Sequence, residues 1–316
     1  MHLLALFLSL SASASPQFAC DKIYQAFTAC DANIRFNGDV FDFFNGRDRV
    51  EMKCNDGRAL SFYDRIESMD VASMLSIPYI TGNTPLPEMR RNWDPGRLRA
   101  EPLLKAIFGN NAASVRANLV SVNFLGQSVK FQKQLGAAAA LERVGQELQR
   151  ESLKDPALAD FLHPFTSKKV DLREYGFFWR FVKGTKRLST HSFGTAIDLL
   201  LDNNGPQYWL WDEAAKNPTK AKQGEVAYRN DHYIPGAAPR FHAKAVAIFE
   251  RNGFIWGGKW NHYDTMHFEY RPEILATKID CGRFPGVLVQ LDSDPLAQTS
   301  EKKVSDAYNS SLNGTH

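Results

Sequence analysis

The chain has 316 residues, enough for one large domain or two modest ones. An apolar content of 44% and a charged content of 23% are those of a globular protein. A net charge of +3 with no dense Lys/Arg block gives no electrostatic footprint for nucleic acid, and past the N-terminus no stretch is long and apolar enough for a transmembrane helix.

Leu3 to Leu10 is an apolar run too short to span a bilayer. It leads into Ser11-Ala12-Ser13-Ala14-Ser15, which has the A-x-A form of a signal-peptidase site after Ala14. Residues 1–14 therefore read as a signal peptide, and the mature protein is expected in the periplasm or outside the cell. Acylation of Cys20 after Gln17-Phe18-Ala19, as in a lipoprotein, is the less favoured alternative because the apolar run ends too far upstream. The four cysteines, Cys20, Cys30, Cys54 and Cys281, allow two disulfides with three connectivities, each of which ties Cys281 to the N-terminal segment. Free buried thiols are the alternative. The absence of C-x-x-C argues against a cysteine zinc site.

Residues 20–115 are mixed and read as an accessory or cap region. Asp21 to Cys30 suggests a short helix. Residues 39–44 and 49–52 partly alternate like strands, with Asn45-Gly46 as the turn signal. Pro78 to Pro95, rich in Pro, Gly and Asn, predicts extended loop. No catalytic motif stands out here. From about 117 the pattern sharpens. Leu119 to Phe124 and Ser128 to Gln132 alternate around Leu125-Gly126-Gln127, which predicts a hairpin. Leu135 to Gln149 predicts a helix with Leu141, Val144 and Leu148 on its buried stripe. Tyr175 to Val182 is β-prone, and Thr195 to Leu201 predicts a buried strand. Residues 202–238 read as a polar loop with anchoring aromatics, a candidate lid. Pro239 to Asn252 predicts a second helix with Gly253 at its C-terminal cap, and a strand carries Met266 to Tyr270. The tail from about 291 is polar and reads as disordered. It includes two glycosylation sequons, at Asn309 and Asn313.

Two stretches carry the chemistry. Ser189-Thr190-His191-Ser192-Phe193-Gly194-Thr195-Ala196-Ile197-Asp198 offers a histidine and, seven positions on, a carboxylate. Asp264-Thr265-Met266-His267-Phe268-Glu269 offers a carboxylate and, three positions on, a histidine. An ionised Asp198 inside an apolar strand needs a cation, and a metal is the simplest one. Gly194 lets the chain turn sharply enough to bring His191 and Asp198 together. Two imidazoles and a carboxylate, with a second carboxylate to spare, suit a catalytic zinc ion with a fourth position left to water.

The pattern Ser189-x-His191-x-x-Gly194-x-Ala196-x-Asp198, with Gly253-Phe254-Ile255-Trp256-Gly257-Gly258-Lys259-Trp260 and Asp264-x-x-His267-Phe268-Glu269 after it, closely resembles the zinc D-alanyl-D-alanine carboxypeptidase family. The VanY-like carboxypeptidase and phage-type L-alanyl-D-glutamate endopeptidase branches are the most similar. The resemblance implies an α+β fold, with a small antiparallel sheet flanked by helices as in the Hedgehog and D,D-peptidase zinc fold, over residues 116–290. It implies one zinc ion on His191, Asp198 and His267. Asp264 matches the catalytic acid/base, where many members have Glu. Arg180 matches the upstream arginine that stabilises the oxyanion, with Arg187 as the competitor for that role. Glu269 or His262 would orient a ligand imidazole, Ser189 would hydrogen-bond near the ligands, and Trp256 and Trp260 would be cleft walls or core. The implied substrates are peptidoglycan peptides, with no choice between the two bonds. The alternative is an inactive zinc-stabilised binding module, since Hedgehog signalling domains resemble the same fold yet act by binding. Serine hydrolysis is disfavoured by the lack of G-x-S-x-G.

Overall fold

The computed structural model describes residues 15–29, 33–82, 92–182, 185–200, 241–260 and 264–275. The signal-peptide, lid, tail and sequon expectations, together with Cys30, Cys281, Pro239 and His262, lie outside these residues.

The first helix, α1 (Pro16–Thr28), starts earlier than residue 21. The Ser15 hydroxyl accepts from the Phe18 amide at 3.3 Å, and a proline at the first position gives up an amide that would have no helical partner anyway. Its buried face carries Ala19, Cys20, Ile23 and Phe27, and Cys20 is disulfide-bonded to Cys54. The first sheet is β1 (Ile34–Phe36), β2 (Val40–Asn45) and β3 (Asp48–Lys53), antiparallel and in that order. The expected turn is there: Asn45 pairs with Asp48 across Gly46-Arg47. Phe41 and Phe43 alternate into the core. Three short helices follow that hydrophobic periodicity did not announce: α2 (Phe62–Glu67), α3 (Glu101–Phe108) and α4 (Ala112–Arg116).

The predicted hairpin forms from β4 (Leu119–Phe124) and β5 (Gln127–Gln132). Its turn is tighter than expected. Gln127 pairs with Phe124 and opens β5, and Leu125 and Gly126 both take positive φ, as a type I′ turn requires. Across it packs α5 (Ala137–Ser152), with Leu141, Val144 and Leu148 fully buried as the stripe predicted. A further helix, α6 (Pro156–Thr166), is capped by Asp155, whose carboxylate accepts from the Leu158 amide at 3.2 Å.

The β-prone segment 175–182 does not build a ladder. It pairs through a bridge between Phe181 and Leu188, and its other backbone bonds run to the turn that follows, except that the Tyr175 amide donates to the Leu172 carbonyl and the Tyr175 carbonyl accepts from the Asp198 amide. The third sheet has the order β6-β8-β7 and is antiparallel throughout: β6 (Ala196–Asp198), β7 (Phe254–Trp256) and central β8 (His267–Tyr270). Helix α7 (Ala243–Arg251) lies against it, with the Phe249 ring stacked on Phe268 at 3.9 Å, and α8 (Pro272–Leu275) ends the described chain. Helices and small antiparallel sheets make this an α+β protein.

One hydrophobic core runs from α1 and β2 through α3 and α5 to the third sheet. Polar ties reinforce the junction. Tyr79 donates its hydroxyl to Glu250 at 2.7 Å, Lys259 donates to the carbonyls of Ile80 and Gly82 and pairs with Glu250, and the Leu188 amide donates to Glu101 at 2.8 Å. Residues 79–82 and Glu101 are thus tied into the region that carries the two motifs.

Candidate metal centre

His191 sits in a single 3-10 turn, Thr190–Phe193, ended by Gly194 at φ +67°. The backbone favours glycine there, and a Cβ would also stand 2.5 Å from Leu119 Cδ2, so that side chain would have to shift. The turn is clamped from outside. The Ser192 hydroxyl accepts from the Arg180 amide at 2.9 Å and donates to the Arg180 carbonyl at 2.8 Å, while the Ser189 amide donates to the same carbonyl. Asp198 ends β6 and pairs in register with His267, the first residue of β8. Strand pairing thus places the second ligand opposite the third, and Gly194 folds the first back onto both.

The three side chains converge. His191 Nε2 lies 3.1 Å from Asp198 Oδ1 and 3.3 Å from His267 Nδ1, and His267 Nδ1 lies 2.9 Å from Asp198 Oδ1. All three residues are buried and positioned to bind a metal ion. A tetrahedral site with metal–ligand bonds of ~2.0 Å has ligand–ligand edges of about 3.3 Å, close to the triangle observed. The outer ring nitrogens fix the tautomers. His191 Nδ1–H donates to the Gly176 carbonyl at 2.7 Å, and His267 Nε2–H donates to Glu269 at 3.2 Å. Two imidazole lone pairs then face one another and a carboxylate oxygen, an arrangement that calls for a cation.

The electrostatics agree. Burial opposes a charge on His267, yet its hydrogen bonds to Asp198 and Glu269 and the nearby acids outweigh it and raise this imidazole to about 10. A proton is held there because the pocket is strongly negative, and a divalent ion meets the same demand. Burial would likewise raise Asp198, but His191 and His267 hold its carboxyl well below the usual range. Asp264, just before β8, donates its amide to the Gly257 carbonyl at 3.0 Å and accepts from the His267 amide at 3.2 Å. Desolvation, with the Asp198 charge behind it, pushes the Asp264 carboxyl up to about 6 against the pull of His267, Arg97 and His191.

Glu269 is fully buried and holds His267 from behind, one of the two orienting residues the motif suggested. Its carboxylate is compensated by Arg271 at 3.0 Å and by Arg99 at 3.4 Å. Arg271 also donates to the carbonyls of Gly96 and Leu98. At Gly96 the chain presses close. A Cβ there would stand 2.1 Å from the Trp260 ring and 2.8 Å from Glu269. Arg99 and Gly96 belong to the segment in which the sequence showed no catalytic motif. Its only visible signal was a pair of arginines flanking Leu98 after a Pro-Gly step.

The other expected residues separate by role. Arg180 is half-buried and hydrogen-bonded through its backbone to the turn that carries His191. Arg187 is buried and donates to the carbonyls of Arg97 and Arg99, a structural tie. Ser189 contributes its backbone, and Ser192 does the hydrogen bonding that Ser189 was expected to do. Trp256 is core, its indole donating to the Thr265 carbonyl at 2.7 Å. Trp260 packs on the His267 ring with centroids 5.6 Å apart.

Residues 183–270 match the family model described as D-alanyl-D-alanine carboxypeptidase. The match spans both motifs and bears out the resemblance to the VanY-like carboxypeptidases over that segment. It supports a peptidase. No curated protein and no solved structure matches the chain.

Proposed function

We propose that the protein is an exported zinc metallopeptidase that hydrolyses amide bonds in peptidoglycan stem peptides, either as a D,D-carboxypeptidase or as an L-Ala–D-Glu endopeptidase. The observation that carries this reading is the triangle of His191 Nε2, Asp198 Oδ1 and His267 Nδ1, with the Asp264 carboxyl within electrostatic reach of all three. Two neutral imidazoles and one carboxylate suit one zinc ion per chain. Zinc bound there supplies a Lewis acid for the scissile carbonyl and for the attacking water.

The chain's own groups do the rest. Asp264 accepts a proton from the water that adds to the carbonyl carbon. When the C–N bond breaks, the same carboxyl delivers that proton to the leaving amine. A carboxyl held near 6 is suited to both transfers. Arg180 donates to the oxygen that becomes negative in the tetrahedral intermediate. The Gly176 carbonyl and Glu269 keep both imidazoles turned with their lone pairs inward. On this reading residues 116–290 form the peptidase region in a Hedgehog/D,D-peptidase-like fold, and residues 20–115 complete it. The Cys20–Cys54 disulfide supports an oxidising compartment, and it occupies the sulfur that lipid anchoring at Cys20 would need.

Mass spectrometry of defined muropeptides incubated with zinc-loaded protein, with and without chelator, tests the proposal. Loss of one terminal D-alanine or release of the stem from L-alanine, each stopped by the chelator, is the expected outcome. No metal-dependent cleavage of either bond would favour the binding-module alternative.

A further inference from the structure

The segment that supports the metal ligands also brings a cation close to the site. Arg97 follows Gly96 directly, and the close approach of Gly96 to Trp260 fixes where its side chain starts. The Arg97 guanidinium lies over the Trp260 indole, 5.0 Å from its centroid, and the same indole packs on His267. Trp260 and Asp264 are held together by one acceptor: the Gly257 carbonyl receives the amide of Trp260 at 3.2 Å and the amide of Asp264 at 3.0 Å. Arg97 therefore stands on the Asp264 side of the centre, the side from which a leaving amine takes its proton. Asp264 lies within electrostatic reach of the Arg97 guanidinium.

A second observation points to a ligand at the same place. Trp260 is 1% exposed, and its indole N–H finds no acceptor among the described residues. A buried donor left unsatisfied in a folded protein calls for a water or a ligand atom. A forked guanidinium on an aromatic face, beside an orphaned N–H, is a receptor for a planar anion. Arg97 lies outside the segment that matches the peptidase family, so its role is not inherited from that match.

We propose that Arg97, seated on Trp260, binds a free carboxylate on the residue that leaves through its amine, and so restricts the enzyme to amide bonds whose amino side bears that carboxylate. The inference rests on the peptidase reading and narrows it. Two sources share the chemistry: the terminal carboxylate of a C-terminal residue, and the free α-carboxylate of a glutamyl residue linked onward through its side chain.

The test uses the zinc-loaded mature chain and peptides that are identical except for that carboxylate, as free acid or as carboxamide. One pair carries it on a terminal D-alanine, the other on an internal D-glutamyl residue, and the pair that is cleaved names the source. Binding of each peptide is measured by calorimetry alongside turnover. The expected result is an acid-over-amide preference in kcat/KM on the order of a hundredfold. That ratio should collapse in Arg97→Ala through a rise in KM and be partly retained in Arg97→Lys, which keeps the charge and loses the fork. Wild-type protein that cleaves acid and amide equally would overturn the inference and leave the peptidase reading standing. So would an Arg97→Ala ratio equal to wild type. Absence of all cleavage would refute the peptidase reading, and the calorimetry would then decide for Arg97: acid-selective binding lost in Arg97→Ala supports the anchor, and its absence overturns it.

Discussion

Arg99→Ala tests whether the N-terminal region is part of the metal site. Arg99 is 6% exposed and faces Glu269, which is fully buried and holds the imidazole of His267. Burial pushes the Arg99 guanidinium down to about 9, still charged at neutral pH. Removing one partner of a buried ion pair costs about 3–5 kcal/mol when nothing else compensates the other. Here Arg271 remains, and at 3.0 Å it is the closer of the two cations. The cost therefore falls toward the value of one charge-assisted hydrogen bond, about 1.5–3 kcal/mol. We expect ~2–3 kcal/mol from denaturant unfolding. Zinc affinity should weaken roughly 10–100-fold, because Glu269 loses part of what fixes it behind His267. The assay is competitive zinc titration against a chromophoric chelator, paired with urea melts of the metal-free protein. Wild-type zinc affinity in a variant destabilised by ~2–3 kcal/mol would show that Arg99 braces the fold alone and would refute the coupling to His267.

Four further outcomes follow from the structure. Asp264→Ala should retain stoichiometric metal and lose turnover by at least ~10²-fold, as expected for a general acid/base, and loss of metal binding would contradict that assignment. The base must be deprotonated, and burial raises it to about 6 while a bound cation lowers it. The acid limb of kcat/KM should therefore lie at or below pH 6 and activity should fall below it; a limb above pH 7 would contradict this. The Cys20–Cys54 disulfide closes a separation of 34 residues, so replacing both cysteines by serine should cost about 3–4 kcal/mol in chemical denaturation, and a loss under ~1 kcal/mol would mean the unfolded chain is already compact. Leu141→Ala on the buried stripe of α5 should cost about 2–5 kcal/mol in the same assay.

Local signals were read where residues near in sequence determine the result. The β4–β5 hairpin announced itself by alternation around Leu125-Gly126-Gln127, and α5 by its stripe. The ligand residues fall in two short motifs, which one glycine turn and one strand pairing suffice to gather. The helices α2, α3 and α4 are too short for a clear 3.6-residue period. In α6 the stripe of Leu158, Leu162 and Phe165 was present, but Pro164 near its end obscured it. Tyr175 to Val182 has strand-like composition, yet its neighbours offer it a turn and no ladder, so context decided. The contributions of Gly96, Arg97 and Arg99 were not legible at all. Arg99 meets Glu269 across a separation of 170 residues, and nothing in the local sequence of either encodes that meeting.

The most direct measurement is zinc titration with X-ray absorption on the loaded wild-type protein and on His191→Ala, Asp198→Ala and His267→Ala. The account predicts one zinc per chain, bound through two imidazoles and a carboxylate, with tight binding lost in each variant. Full zinc stoichiometry retained in any of the three, or a first shell containing sulfur, would contradict it.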